Sequence, residues 1–284
     1  MSARLAARAA IALLALAAGF AQAAAEPAGR PRVYALVSAV GDQFSYVRQR
    51  QQVGSHFEPY VRRTVTIADD ALNVAVLRGL DRVVAQAEPG SERVFVKLNP
   101  AEMKGIASAE RERVAIGKIA SALQDLPARQ GWDRIVVVTP AFVRGERRGL
   151  GSKLQGIGVF VQPLERPRGG PAPGLDLGLD THVDDETQSP SGEEGASSVF
   201  VAPFFYTRVW VLDARTLEVL ETEGRFDYRK LWEPAWTAAD VQKNLTPEQL
   251  AGEIGKFVEL ASARALRETL GVVTVSDPKP VPRR

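Results

Sequence analysis

The chain of 284 residues contains no cysteine, two histidines and two methionines. Without thiols, disulfides, thiolate metal sites and a lipid-modified N-terminal cysteine are all excluded. Histidine is confined to His56 and His182, so a Ser-His-Asp hydrolase would need one of these two as its base. There is no G-x-S-x-G elbow, no G-x-x-x-x-G-K-[ST] phosphate loop and no internal repeat. Beyond the N-terminus, no apolar run is long enough to cross a bilayer. A charge surplus is also lacking. Lys and Arg number 36 and Asp and Glu 34, and the first 25 residues hold Arg4, Arg8 and no acid, which leaves 34 against 34. The small positive balance therefore belongs to the leader, and the remainder has no nucleic-acid footprint.

The N-terminus reads as a secretory signal peptide over residues 1–25. Arg4 and Arg8 form a positive start, Ile11 to Phe20 an apolar stretch, and Ala21-Gln22-Ala23 a small-x-small cleavage site. No twin arginine is present, which points to the general export route. The expected product is a protein of the bacterial periplasm or beyond.

The rest is organised around Ser198 to Tyr228. Val199, Val201, Phe205, Val209 and Val211 alternate with Phe200, Phe204, Tyr206, Trp210 and Leu212. A strand apolar on both faces lies inside a sheet that is covered above and below. Asp213 closes a turn. The run after it alternates Leu217 and Val219 with Glu218, Glu221 and Glu223, which suits a wetter position near an edge.

Earlier in the chain, Val33–Val40, residues 44–51 and Tyr60–Ile67 predict an antiparallel meander. Asp69 and Asp70 are expected to cap a helix with the stripe Leu72, Val76, Leu80, Val83, Val84 and Ala87, ended by Pro89-Gly90. Val94–Leu98 reads as a short buried strand, and Asn99-Pro100 as a helix start. A helix over about 108–126 should turn Ile116, Ile119, Ala120 and Leu123 inward and Arg111, Arg113 and Lys118 outward. Arg134–Thr139 and Ile157–Val161 read as buried strands. Thr246-Pro247-Glu248-Gln249 is a capping box that opens a C-terminal amphipathic helix stopped by Gly271. The fold class is thus α/β (or α+β), a layered mixed sheet with packed helices, in a single domain over 26–271. Residues 163–197, rich in proline, glycine and acid, predict a disordered insertion, and 272–284 a flexible tail.

Candidate chemistry is thin. Gly41-Asp42-Gln43 follows a strand where a GDS-type esterase carries its nucleophile, but Gln43 cannot attack, and no Asp-x-x-His stands near the C-terminus. Asp180-x-His182-x-Asp184, with Asp185 and Glu186, has ligand types for a divalent cation, calcium foremost, but reads as a solvated acidic loop. The basic, glycine-bearing loop from Arg144 to Lys153 has the wrong spacing for a nucleotide and reads as an exposed loop that an anion or a partner could contact. Trp210 reads as packing. Trp232 and Trp236, near Phe226 and Tyr228, read as aromatics folded over a sheet edge or as a small-ligand surface.

Two stretches carry a resemblance. RVWVLDARTLEVLETEGRF, from Arg208 to Phe226, and Trp132-Asp133-Arg134-Ile135-Val136-Val137 resemble phrases in the α/β domain of the curli-export lipoprotein and the penicillin-binding-protein activator lipoproteins. The resemblance implies a non-catalytic envelope protein that works by contacting partners. The chain departs from it by lacking the lipid-anchoring cysteine and by its long insertion. As a whole it also looks like exported proteobacterial proteins of unknown function. No catalytic, cofactor or metal residue is assigned from sequence. The reading is a binding or assembly protein, with a hydrolase using Asp42, Ser55 or His56 as the alternative.

Overall fold

The computed structural model describes residues 30–49, 60–67, 70–141, 156–163, 187–188, 199–231 and 245–271. Its strands are β1 (Val33–Ser38), β2 (Gln43–Gln49), β3 (Tyr60–Thr66), β4 (Glu92–Lys97), β5 (Arg134–Pro140), β6 (Ile157–Pro163), β7 (Thr187–Gln188), β8 (Val199–Asp213), β9 (Val219–Tyr228) and β10 (Lys230–Leu231). Its α-helices are α1 (Ala71–Ala87), α2 (Arg111–Gln124) and α3 (Pro247–Thr269). The chain divides into Met1–Pro31 and Arg32–Arg284. Only Arg30 and Pro31 of the first unit are described; the sheet and helices belong to the second.

All the strands join one mixed sheet, and the fold is α/β. Its registers reduce to five rows, with the two-residue β7 beyond them on the far side of β10. The long strand β8 is the second row, flanked on its outer side by β9, which pairs from Phe204 to Leu212, and by β10 at Val201. Along its inner side lie two strands end to end: β5 opposite Thr207–Asp213 and β6 opposite Val199–Phe205. Parallel to these run β1 against β5 and β2 against β6, again end to end. The last row is β4, parallel to β1, and β3, antiparallel to β2. β1 and β2 are therefore one row with a joint at residues 39–42, where Gly41 takes φ +77. β5 and β6 form another row jointed at Ala141 and Gly156. There the Gly156 N–H donates to the Ala141 carbonyl (3.2 Å), and both residues also bond to Tyr206 of β8.

Both faces are covered, as the two-sided apolar pattern of β8 requires. Leu36, Val136, Val138, Phe205 and Val209 face α1 and α3, which contribute Val76, Leu80, Val83, Val258, Ala261 and Leu266. Val37, Ile135, Val137 and Leu212 face α2 through Ala115, Ile119 and Leu123, with Trp132 and Met103 beside them. Helices α1 and α3 pack closely because Gly79 has no Cβ; one there would meet the Glu259 carbonyl and Ser262 Cβ. β9 is largely exposed, as an edge strand should be. Helix α3 begins with the full capping box, Thr246 Oγ1 accepting from Gln249 N and Gln249 Oε1 from Thr246 N, and ends before Gly271 at φ +66.

The β8–β9 turn is held by one carboxylate. Asp213 Oδ1 accepts from the backbone N–H groups of Arg215 (2.8 Å) and Thr216 (2.9 Å). These donors, the Thr216 N–H first and the Arg215 N–H second, lower the Asp213 pKa. A depressed folded pKa contributes stability above the unfolded value, lost as pH falls through the folded one. The stability gap between the parent chain and Asp213→Ala is therefore expected to be full at neutral pH. It should narrow below the usual carboxylate range, which denaturant midpoints measured from pH 7 downward will check.

Several expectations are corrected. β1 and β2 do not pair with each other, so the meander is limited to β2 and β3. Asp70 occupies the N-cap of α1 in the left-handed region (φ 55) with no side-chain cap bond; its carboxylate pairs with Lys97 instead. Ala87 is exposed. Residues 94–98 are no buried strand: β4 lies at the sheet edge, with Phe95 53% exposed and only Leu98 buried. Pro100–Met103 is a single 3-10 turn with Asn99 as its cap. Arg111 points inward and is buried, donating to the Ile106 (3.0 Å) and Met103 (3.2 Å) carbonyls. Within 163–197, Thr187–Gln188 pairs with β10; nearly all of that stretch, the leader and the tail lie outside the described residues.

Candidate functional site

In an open sheet with parallel strands, ligands gather beyond the carboxyl ends of strands at the point where successive connections leave to opposite sides. Here β1 lies between β4 and β5, and the helices preceding β4 and β5, α1 and α2, pack on opposite faces. That point is therefore the carboxyl end of β1 and β5. Sheet fills it. β1 continues into β2, β5 is followed in line by β6, and β2 and β6 pair directly from Ser45–Gly158 to Arg48–Val161. The junction is sealed from within by polar groups. Ser38 Oγ donates to Asn73 Oδ1 (2.8 Å), and Asn73 Nδ2 donates to the Gly41 carbonyl (3.4 Å). Ser38 and Asn73 are fully buried. Asn73→Ala strips both partners of their bonds in a dry setting and should cost about 2 kcal/mol, read from the urea midpoint.

Asp42 lies at this junction. Its backbone carbonyl accepts from the Ile67 N–H (2.8 Å). Burial lowers the Arg111 pKa, and the charge of Asp42 opposes that shift. Ser55 and His56 lie outside the described residues. So do Asp180, His182, Asp184, the loop from Arg144 to Lys153, Trp232 and Trp236.

On the α2 face of β8, Arg208 pairs with Glu112 of α2 and stacks over Trp210, 5.7 Å from the ring centroid. Trp210 Nε1 donates to Thr139 Oγ1 (3.0 Å). Gly224 stands opposite Arg208 on β9. Tyr206 packs between Phe204 and Phe226, with ring centroids 5.5 and 5.2 Å away. Burial raises its hydroxyl pKa. Trp210 is therefore a packing residue with a polar anchor.

At the opposite end of the parallel strands, two hollows lie side by side. One, of about 230 Å³, is lined by Arg32, Asp133, Arg134, Asp213 and Arg215. The other, of about 300 Å³, shares Arg32 and Arg134 and adds Tyr34, Val84, Ala87, Glu88 and Leu270. Glu88 accepts from Tyr34 Oη (2.7 Å) and Arg32 Nη1 (2.8 Å). Burial, then the bond to Glu88, raises the Tyr34 pKa. These arginines come from positions 32, 134 and 215, and no local motif joins them; the one local sign is that each stands at a strand start or in a turn. No group of three or more Asp, Glu or His side chains suited to a metal occurs among the described residues. Nor is any described helix long and apolar enough to cross a membrane.

No protein-family model matches the sequence, and no curated protein does. Among solved structures, the chain is similar to a neuraminyllactose-binding hemagglutinin homolog from Helicobacter pylori, at 6% identity and a TM-score of 0.36, over 89% of this chain and 88% of that one. It is also similar to a Xanthomonas campestris protein of the family model DUF330, at 9% identity and a TM-score of 0.31, over 87% of each chain.

Proposed function

We propose that this is an exported, non-catalytic protein of the bacterial cell envelope that acts by binding a partner protein. The observation that carries the reading is the filled junction. The place where α/β sheets hold small-molecule substrates is occupied by β2 and β6 and sealed by Ser38 and Asn73. What the described chain offers instead are sheet edges. Among the described residues β3 pairs only with β2, β4 only with β1, and β9 only with β8. Exposed apolar side chains stand on all three: Val61, Phe95, Val219, Leu220 and Phe226. Edges of this kind accept an added strand or pack against a partner surface.

Residues 1–25 support export, and the resemblance of the β8–β9 phrase to envelope lipoprotein domains supports the compartment. The hydrolase reading is weaker because the junction that carries Asp42 is filled by the pairing of β2 with β6. Photo-crosslinking residues placed at 95, 219 and 226, one at a time, in the exported protein test the proposal in living cells. Adducts with one envelope protein from one edge are expected. Turnover of ester or glycan substrates that is abolished by Asp42→Asn in a folded chain would replace it with the hydrolase.

A further inference from the structure

We propose that Arg32, Arg134 and Arg215 bind a phosphate group in the hollow between them. The three guanidiniums come from separate elements: the residue before β1, the start of β5 and the β8–β9 turn. Three arginines on separate elements supply enough donors for the several oxygens of a tetrahedral oxyanion, more than a single carboxylate needs. The acids of the hollow are already engaged. Asp133 Oδ2 accepts from the Val33 N–H (2.8 Å), and Asp213 Oδ1 holds the turn.

The arginines keep donors to spare. Arg134 Nη1 reaches the Asp133 carbonyl at 3.2 Å and lies 3.7 Å from Asp213 Oδ2. Arg32 uses Nη1 on Glu88. The Arg215 side chain makes no hydrogen bond or ion pair with the described residues, although its backbone is fixed by Asp213 and by Arg129. With Arg32 paired to Glu88 and Arg134 facing Asp213, Arg215 is the guanidinium of the hollow whose side chain is not held by an acid among the described residues. The hollow of about 230 Å³ has room for a phosphate. The neighbouring hollow, which shares Arg32 and Arg134 and is walled by Val84, Ala87 and Leu270, would take whatever the phosphate is attached to. The proposal does not depend on the partner-binding reading.

The test is amide NMR of the full chain titrated with inorganic phosphate and, separately, with dihexanoyl phosphatidic acid, against chloride at matched ionic strength. Saturable shifts are expected at Arg32, Asp133, Arg134 and Arg215. Arg32→Gln and Arg215→Gln should each weaken binding about tenfold, with the rest of the spectrum preserved, since neither side chain is buried. Tighter binding of the lipid would identify a headgroup as the source; equal binding would identify free phosphate. Shifts that chloride reproduces, or that persist unchanged in the Arg32→Gln/Arg215→Gln double variant, would overturn the proposal.

Discussion

Replacing Gly158 with alanine should be among the most damaging single changes in this chain, lowering stability by about 3 kcal/mol. Gly158 sits in β6 between β2 and β8, opposite Ser45 on one side and Phe204 on the other. A Cβ there would run into the Ser45 carbonyl oxygen and come within 2.5 Å of the Phe204 ring. Neither neighbour can give way. The carbonyl belongs to the paired backbone of β2, and Phe204 is fully buried. Relief would require β2 and β6 to part, and their pairing is what fills the junction. Gly255→Ala provides the contrast: the position is in α3 with nothing within 4 Å of an added Cβ, and the change should stabilise by roughly 0.5–1 kcal/mol. Urea denaturation of both variants checks the pair. A Gly158→Ala midpoint equal to the parent's would mean that the two strands are not in direct register.

The second large effect is expected at Arg129. This buried side chain donates from Nε to the Leu123 carbonyl (2.9 Å) and from Nη1 to those of Ala214 (2.6 Å) and Arg215 (2.7 Å). It joins the last turn of α2, where carbonyls lack intrahelical partners, to the β8–β9 turn. The carbonyls of a helix C-terminus also favour a cation electrostatically. Arg129→Met keeps much of the volume but leaves the Ala214 and Arg215 carbonyls without their donor, while the Leu123 carbonyl keeps the Leu126 N–H, at a cost of about 2–3 kcal/mol. Arg129→Lys should recover only part of this, because one ammonium lacks the planar fork that reaches both elements. Hydrogen exchange gives the sharper check: amides of residues 213–218 should lose protection in Arg129→Met before those of β5.

How far the sequence foretells these features depends on the range over which each is encoded. The Asp213 turn, the Thr246–Gln249 capping box and the two-faced pattern of β8 are local, and each is found where its residues predict it. The end-to-end rows are not local. Nothing near Gly41 says that residues 33–38 will pair with 92–97 and 134–138 while 43–49 pair with 60–66 and 158–161. Gly41 reads as a hairpin turn because a glycine at positive φ serves a joint as well as a reversal. Arg111 misleads for a related reason. A helical stripe assigns charge to solvent, but a first-turn arginine can fold back onto the carbonyls of the segment before it, here Met103 and Ile106. The arginine hollow is illegible for the same cause as the rows: its members are brought together by the parallel pairing of β1 with β5 and the antiparallel pairing of β5 with β8.

The most direct measurement of the central claim is site-specific photo-crosslinking in cells, with probes at Phe95 on β4 and Phe226 on β9 and a control at Lys256 on α3. If the protein acts through a sheet edge, one of the two edge positions will give a single dominant adduct with an envelope protein, and the Lys256 position will not. Equal and scattered adducts from all three positions, or none from either edge, would contradict it.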